Sequence, residues 1–211
     1  MAQQDQLHFS DHPLIQHLLS EARDEKTKSP RFRQLVETIG MLLAYEATRD
    51  LALEKTTVNT PLEECEGQRL RLPITIVPIL RAGLGLADGV RAILPEAQTA
   101  HIGLYRDEKT LQPVSYYQKM PPNIADGTVL MIDPMLATGG SVVAANSILR
   151  QRGCKDIRLI CLVAAPEGVD HVINADPDVP IYTGALDRQL NEKGYILPGL
   201  GDAGDRLFGT V

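Results

Sequence analysis

The stretch TVLMIDPMLATGGSVVAANSILRQRG, residues 128–153, decides how this chain folds. It opens with an apolar run closed by Asp133, passes through a turn of small residues, and continues in a helical pattern that Gly153 can stop. Pro134 biases Asp133 toward an extended conformation, so a strand should end at that carboxylate. Strand, tight turn and helix in this order make one half of a βαβ unit.

Outward from this stretch the same grammar repeats. ITIV (74–77), AHIGLY (100–105), IRLICLVAA (157–165) and PIYTGA (180–185) are short apolar runs without clean alternation, as expected of strands covered on both faces. LGLADGVRAIL and EGVDHVINA lie between them and are patterned as crossover helices. The alternation predicts an α/β fold, a mostly parallel open sheet flanked by helices. Nearer the N-terminus, Ser10 or Asp11 with Pro13, and Ser29 with Pro30, read as helix starts. Phe32, Leu35, Val36, Ile39, Leu42 and Leu43 then recur at helical spacing and predict a long amphipathic helix to about Asp50.

Two segments break the repeat: residues 106–123, charged and then rich in Tyr, Gln and Pro, and a glycine-rich tail from Asn191. Irregular segments in a compact domain commonly act as lids or binding loops. With 211 residues and no repeat or linker, one domain spanning 1–211 is expected.

Composition narrows the function classes. A chain with 44% hydrophobic residues, 23% charged residues and a net charge of −6 has no bias toward polyanions, so no large nucleic-acid surface is expected. No apolar run approaches the ~18 residues of a membrane span, and the polar start MAQQDQLHFSD lacks a signal-peptide pattern, so the expected location is cytoplasmic. Cys65, Cys154 and Cys161 form no CxxC pair and suggest neither a disulfide framework nor zinc. His8, His12 and His17 have spacings interrupted by Pro13 and are not read as a metal site, while His101 and His171 should pack or hydrogen-bond.

Ligands of an open parallel sheet bind at the carboxyl ends of its strands. At such an end, Ala137, Thr138, Gly139, Gly140 and Ser141 would gather free backbone N–H groups, a helix dipole and two hydroxyls around one point, which is the physics of a phosphate cradle. Asp133 is placed to accept hydrogen bonds from the hydroxyls of a sugar attached to that phosphate. A plain strand-to-helix turn, with Ser141 as cap and Asp133 solvated, is the competing reading. In VPILRAGLG (77–85), Pro78 should end a strand near Val77, leaving Arg81 beside Gly83 and Gly85 for a second phosphate group. Gly83, Gly85 and Gly89 can also be read as a dinucleotide turn of the form GxGxxxG. A P-loop is absent from the sequence.

These motifs resemble those of the uracil phosphoribosyltransferases, a branch of the type I phosphoribosyltransferases. DPMLATGGS, VPILRAGLGLADG, GLYRDEKTLQPVSYYQKMP and YILPGLGDAGDRLFGT occur in the right order along essentially the whole chain. Where the generic superfamily motif often has two adjacent acids, the second here is Pro134, as in the uracil branch. The resemblance implies pyrimidine salvage: uracil and phosphoribosyl diphosphate (PRPP) giving UMP and diphosphate, through an oxocarbenium-like transition state. It also implies a C-terminal base-binding hood and a flexible lid from Arg106 to Met120, carrying Lys109, Tyr116 and Tyr117.

Carried onto this sequence, the resemblance assigns catalysis to Arg81, Arg106, Asp133 and Asp202. PRPP would be held by Arg81 and Arg106, by the loop Asp133, Pro134, Met135, Leu136, Ala137, Thr138, Gly139, Gly140 and Ser141, and by Asp202. Uracil would meet Tyr195, Ile196, Gly201, Asp202 and Ala203. Magnesium is the implied cofactor, with no direct protein ligand, held through the diphosphate and water. A homo-oligomer, dimer or tetramer, and a GTP effector are implied too, although no residue points to a GTP site. A pyrimidine-responsive RNA-binding regulator of the same fold is the alternative, and a nicotinamide-dependent oxidoreductase the third reading.

Overall fold

The computed structural model describes residues 6–71, 73–106 and 113–210. Edge strand β1 (Leu7–Phe9) leads into helices α1 (Pro13–Arg23) and α2 (Ser29–Ala47), each with proline in its first turn. The cap of α1 is neither Ser10 nor Asp11 but His12, whose Nδ1 accepts the Leu14 N–H at 3.1 Å. Helix α2 stops at Ala47, short of Asp50, because buried Arg158 donates to the Ala47 carbonyl at 2.7 Å and pairs with Asp50, which pulls the chain out of the helix.

A two-stranded hairpin follows, β2 (Leu53–Asn59) and β3 (Glu64–Leu70), which forms its own sheet. Charges on both strands, cross-linked by Lys55–Glu66 and Glu54–Arg69 pairs, leave it without the apolar face by which strands are recognised.

The remaining elements are β4 (Ile74–Leu80), α3 (Gly83–Ile93), β5 (Gln98–Thr99), β6 (His101–Arg106), β7 (Pro113–Lys119), β8 (Thr128–Ile132), β9 (Met135–Leu136), α4 (Gly140–Gln151), β10 (Asp156–Ala164), α5 (Pro166–Ala175), β11 (Ile181–Leu186), β12 (Gln189–Leu190), β13 (Ile196–Leu197) and α6 (Ala203–Phe208). The main sheet runs β1-β11-β10-β8-β4-β6-β7 and is parallel apart from the antiparallel β6–β7 pair. Along β8, Leu130 and Ile132 pack under α1, α2 and α3, while Val129 and Met131 pack under α4 and α5. Both faces are therefore covered, which is why the central strands read as unbroken apolar runs.

Three expectations are corrected. The strand expected to end near Val77 continues to Leu80, because Pro78 falls where β4 changes neighbour from β5 to β6, a break in the ladder that accommodates a residue without an N–H. Within the expected lid, Pro113–Lys119 is not irregular but pairs with β6 as β7, carrying Tyr116 and Tyr117; Lys109 lies outside the described residues. Gly83, Gly85 and Gly89 lie inside α3 and serve packing. A Cβ at Gly83 would stand 2.6 Å from the Ile132 carbonyl, one at Gly85 2.7 Å from Leu207, and one at Gly89 would collide with the Glu37 carbonyl of α2. These glycines therefore lie in a packed helix and not in a dinucleotide turn.

Candidate active site

β8 delivers Asp133 to its carboxyl end, where the Asp133 N–H still bonds the Ile160 carbonyl at 3.2 Å. Pro134 turns inward: its carbonyl accepts the Leu162 and Val163 N–H groups, so it shapes the turn without facing ligand. Leu136 is likewise buried in the core, and only its backbone runs along the loop. Gly139 then takes φ 79°, the left-handed conformation that favours glycine, and α4 begins at Gly140. Met135, Ala137, Thr138, Gly139, Gly140 and Ser141 line a hollow of about 90 Å³ in front of that helix.

The hollow adjoins a cleft of about 360 Å³, and Asp133, Met135 and Ala137 belong to both. The far wall of the cleft is Tyr195, Ile196, Gly201, Asp202 and Ala203, every residue that the resemblance assigned to uracil. One Asp202 carboxylate oxygen accepts the Asp205 N–H at 2.9 Å and caps α6, so the structural and the ligand-facing readings of this residue coexist. Arg81 is exposed on the loop between β4 and α3, its guanidinium 5.9 Å from the Phe208 ring centre, next to Ala82 of the cleft wall. The Arg106 side chain lies outside what the structure describes.

Burial pushes the Asp133 carboxyl up to about 7, partly offset by the Met135 backbone N–H. The nearby Cys161 thiol is buried and pushed up to about 12, so it stays protonated and inert. Among the described residues no group of three or more His, Cys, Asp and Glu could hold a metal ion. His8 stacks on Tyr182 with ring centres 4.5 Å apart, a packing role. A larger groove of about 730 Å³ beside β1, with Asp50 and Tyr182 in its wall, shares no residue with the cleft.

Side chains that motif reading passed over hold the far wall. Buried Asp187 accepts the Gly199 N–H at 2.9 Å and a two-pronged pair from Arg23 at 2.9 and 2.7 Å, and Arg23 also bonds the Gly199 carbonyl at 2.8 Å. Arg206 donates to the carbonyls of Ala22, Leu200 and Asp24, with its guanidinium 4.1 Å over the Phe32 ring. Glu167 accepts the Leu190 N–H at 3.0 Å and fastens β12. Lys193 contributes a cation to the mouth of the cleft. Isolated acids and arginines at these sequence separations carry no local signal.

The family profile described as uracil phosphoribosyltransferase matches residues 9–210. The chain belongs to the uracil phosphoribosyltransferase family. It is 56% identical to the uracil phosphoribosyltransferase of Macrococcus caseolyticus over 205 residues, 97% of this chain and 98% of that one. It is 54% identical to the enzyme of that name from Staphylococcus aureus strain Newman, with the same coverage. Among solved structures, the AQ2163 protein of Aquifex aeolicus superposes with a TM-score of 0.92 at 36% identity, covering 96% of this chain and 97% of that one. A hypoxanthine-guanine phosphoribosyltransferase of Bacillus anthracis, with a TM-score of 0.51, 12% identity and coverage of 76% and 81%, shares the fold alone. A family of this chemistry accounts for a cleft with a phosphate-type loop on one wall and backbone-rich turns on the other.

Proposed function

We propose that the protein transfers the 5-phosphoribosyl group of PRPP to uracil, forming UMP and diphosphate. The observation that carries this reading is the single cleft in which Asp133 and Ala137 face Gly201, Asp202 and Ala203. The 5-phosphate lies against the N–H groups of Thr138 to Ser141, and Asp133 accepts the ribose hydroxyls in its ionised form. Arg81 and Arg106 draw the diphosphate, and the exposed position of Arg81 leaves its guanidinium free to swing onto that group.

Loss of diphosphate leaves positive charge on the ribose ring, so little nucleophilic or acid–base machinery is required. The protein's task is to hold the uracil nitrogen in line with the anomeric carbon, to neutralise the leaving group and to exclude water. The donor set fits magnesium held mainly by substrate, since among the described residues the cleft offers the Asp133 and Asp202 carboxylates alone, and the ion when bound would supply charge neutralisation of the diphosphate. Backbone around Gly201 can pair with the two carbonyls and N–H of uracil. Cytosine would leave such partners unmatched at about 1–3 kcal/mol each.

The β2–β3 hairpin supports the homo-oligomer reading, because an isolated two-stranded ribbon is marginal in water and Leu62 at its turn is 96% exposed. Sedimentation as a monomer at working concentration would count against it.

The test of function is an assay with magnesium and PRPP in which uracil, cytosine, hypoxanthine and orotate are offered separately. UMP from uracil alone is expected. No nucleotide from any base, together with RNA binding that weakens steeply with salt, would replace the enzyme by a regulator.

A further inference from the structure

Helix α5 lies directly behind the phosphate-type loop and, besides packing on the sheet and fastening β12 through Glu167, touches the loop itself. Gly168 and His171 are one turn apart and share the face of α5 turned to the loop. A Cβ at Gly168 would collide with the Ala137 carbonyl and stand 2.9 Å from that of Leu136, so helix backbone abuts loop backbone. One turn on, His171 Nδ1 lies 2.8 Å from the Thr138 carbonyl oxygen. A carbonyl only accepts, so Nδ1 carries the proton and donates.

That bond has a geometric consequence. The Thr138–Gly139 peptide is trans, since the cis bonds among the described residues lie elsewhere, and across a trans peptide the C=O and the following N–H point in opposite directions. Holding the Thr138 carbonyl toward α5 therefore turns the Gly139 N–H away from the helix, toward the hollow in front of α4. Gly139 follows in the left-handed conformation, with room for no side chain: a Cβ there would be 2.9 Å from the Gly168 carbonyl and 3.2 Å from His171 Cβ. Consecutive N–H groups through such a turn converge into an anion-binding concavity.

We propose that His171 is a positioning residue for phosphate binding, its Nδ1–H to Thr138 bond setting the peptide plane that aims the Gly139 N–H at the ligand's phosphate. This deepens, and rests on, the reading of the loop as the 5-phosphate cradle. His171 is exposed, so its replacement does not open the core. His171→Leu removes the donor and keeps bulk, whereas His171→Asn retains an N–H donor at the corresponding atom.

The test measures ribose 5-phosphate binding by calorimetry and, separately, kcat and the KM of each substrate. For His171→Leu, Kd for ribose 5-phosphate and KM for PRPP should each rise about tenfold, the loss of one charge-assisted hydrogen bond, with kcat and the KM for uracil within about twofold. His171→Asn should recover most of that loss. Wild-type affinity for ribose 5-phosphate in His171→Leu, equal loss in both variants with the uracil KM moving too, or no binding of ribose 5-phosphate to the wild type would each overturn the proposal. Binding is read without turnover, so the two inferences fail separately. A wild type that makes no UMP while His171→Leu weakens ribose 5-phosphate sinks the proposed reaction alone; normal UMP formation with unchanged binding in His171→Leu sinks this one alone.

Discussion

The loop from Asp133 to Ser141 is built from contiguous turn-forming residues and fastened from β10 and α5, His171 bonding Thr138 from 33 positions on, whereas the segment from Ile196 to Ala203 is tied to the opposite end of the chain. On the donor side, a strand end, a proline, a left-handed glycine and a helix start are contiguous. On the base side, the Arg23–Asp187 pair that grips Gly199 joins residues 164 positions apart, and Arg206 reaches across 184 positions to Ala22. A phosphate asks for backbone N–H groups and a dipole, which one turn can supply. A flat base asks for carbonyls and N–H groups at fixed spacing in a segment with little regular structure, and such a segment needs external bracing.

The largest effect should come from the donor wall. Asp133→Asn removes the anionic acceptor of the ribose hydroxyls, and two charged hydrogen bonds at about 1.5–3 kcal/mol each predict a fall in kcat/KM of about 10²- to 10⁴-fold. Arg81→Ala should cost about 10²-fold, expressed with PRPP rather than uracil as the varied substrate. Steady-state kinetics with each substrate varied checks both, and a loss confined to uracil would place these residues on the wrong wall.

Next comes the brace of the base wall. Asp187→Asn leaves Arg23 with a neutral partner in a largely buried site, where the Asp187 side chain is only 6% exposed, and should cost about 3 kcal/mol of stability. Loosening Gly199 should raise the KM for uracil several-fold and leave the KM for PRPP unchanged. Equal changes in both constants would show that the two walls are not independently supported.

The same contrast explains what the sequence could disclose. The five principal strands and three crossover helices were legible because buried parallel strands and amphipathic helices are periodic. The donor loop was legible because its chemistry is local. The β2–β3 hairpin was not, since Glu54, Lys55, Glu64, Glu66 and Arg69 dress it in charge, and β7 was hidden because its residues are exposed on the sheet edge. Glycines 83, 85 and 89 could be spelled as a dinucleotide turn because tight helix packing and close ligand approach make the same demand for a missing Cβ. The uracil-side residues were reached through family resemblance, while Asp187, Arg23 and Arg206 became visible only when the fold brought them together.

The smallest effect sets function against stability on the donor wall itself. Asp133 is held at about 7 in the folded protein, against about 3.9 for an unfolded chain. Between those values the folded state binds the extra proton, so this residue's contribution to stability falls as pH rises through that window and stays low above 7. A carboxamide in its place would titrate nowhere and could still accept the Met135 N–H, so Asp133→Asn should be more stable than wild type above pH 7. Because the side chain still touches the open cleft, the gain should be about 1–2 kcal/mol, shrinking toward zero near pH 4. Denaturant titrations of both proteins at pH 5, 6, 7 and 8 measure this difference, and a gain independent of pH would mean that burial does not penalise the carboxylate in the folded protein. If the gain appears alongside the loss of transfer, the protein gives up stability at Asp133 to keep an anion where the ribose hydroxyls bind, whereas Asp187, braced by Arg23, serves stability and the base wall together.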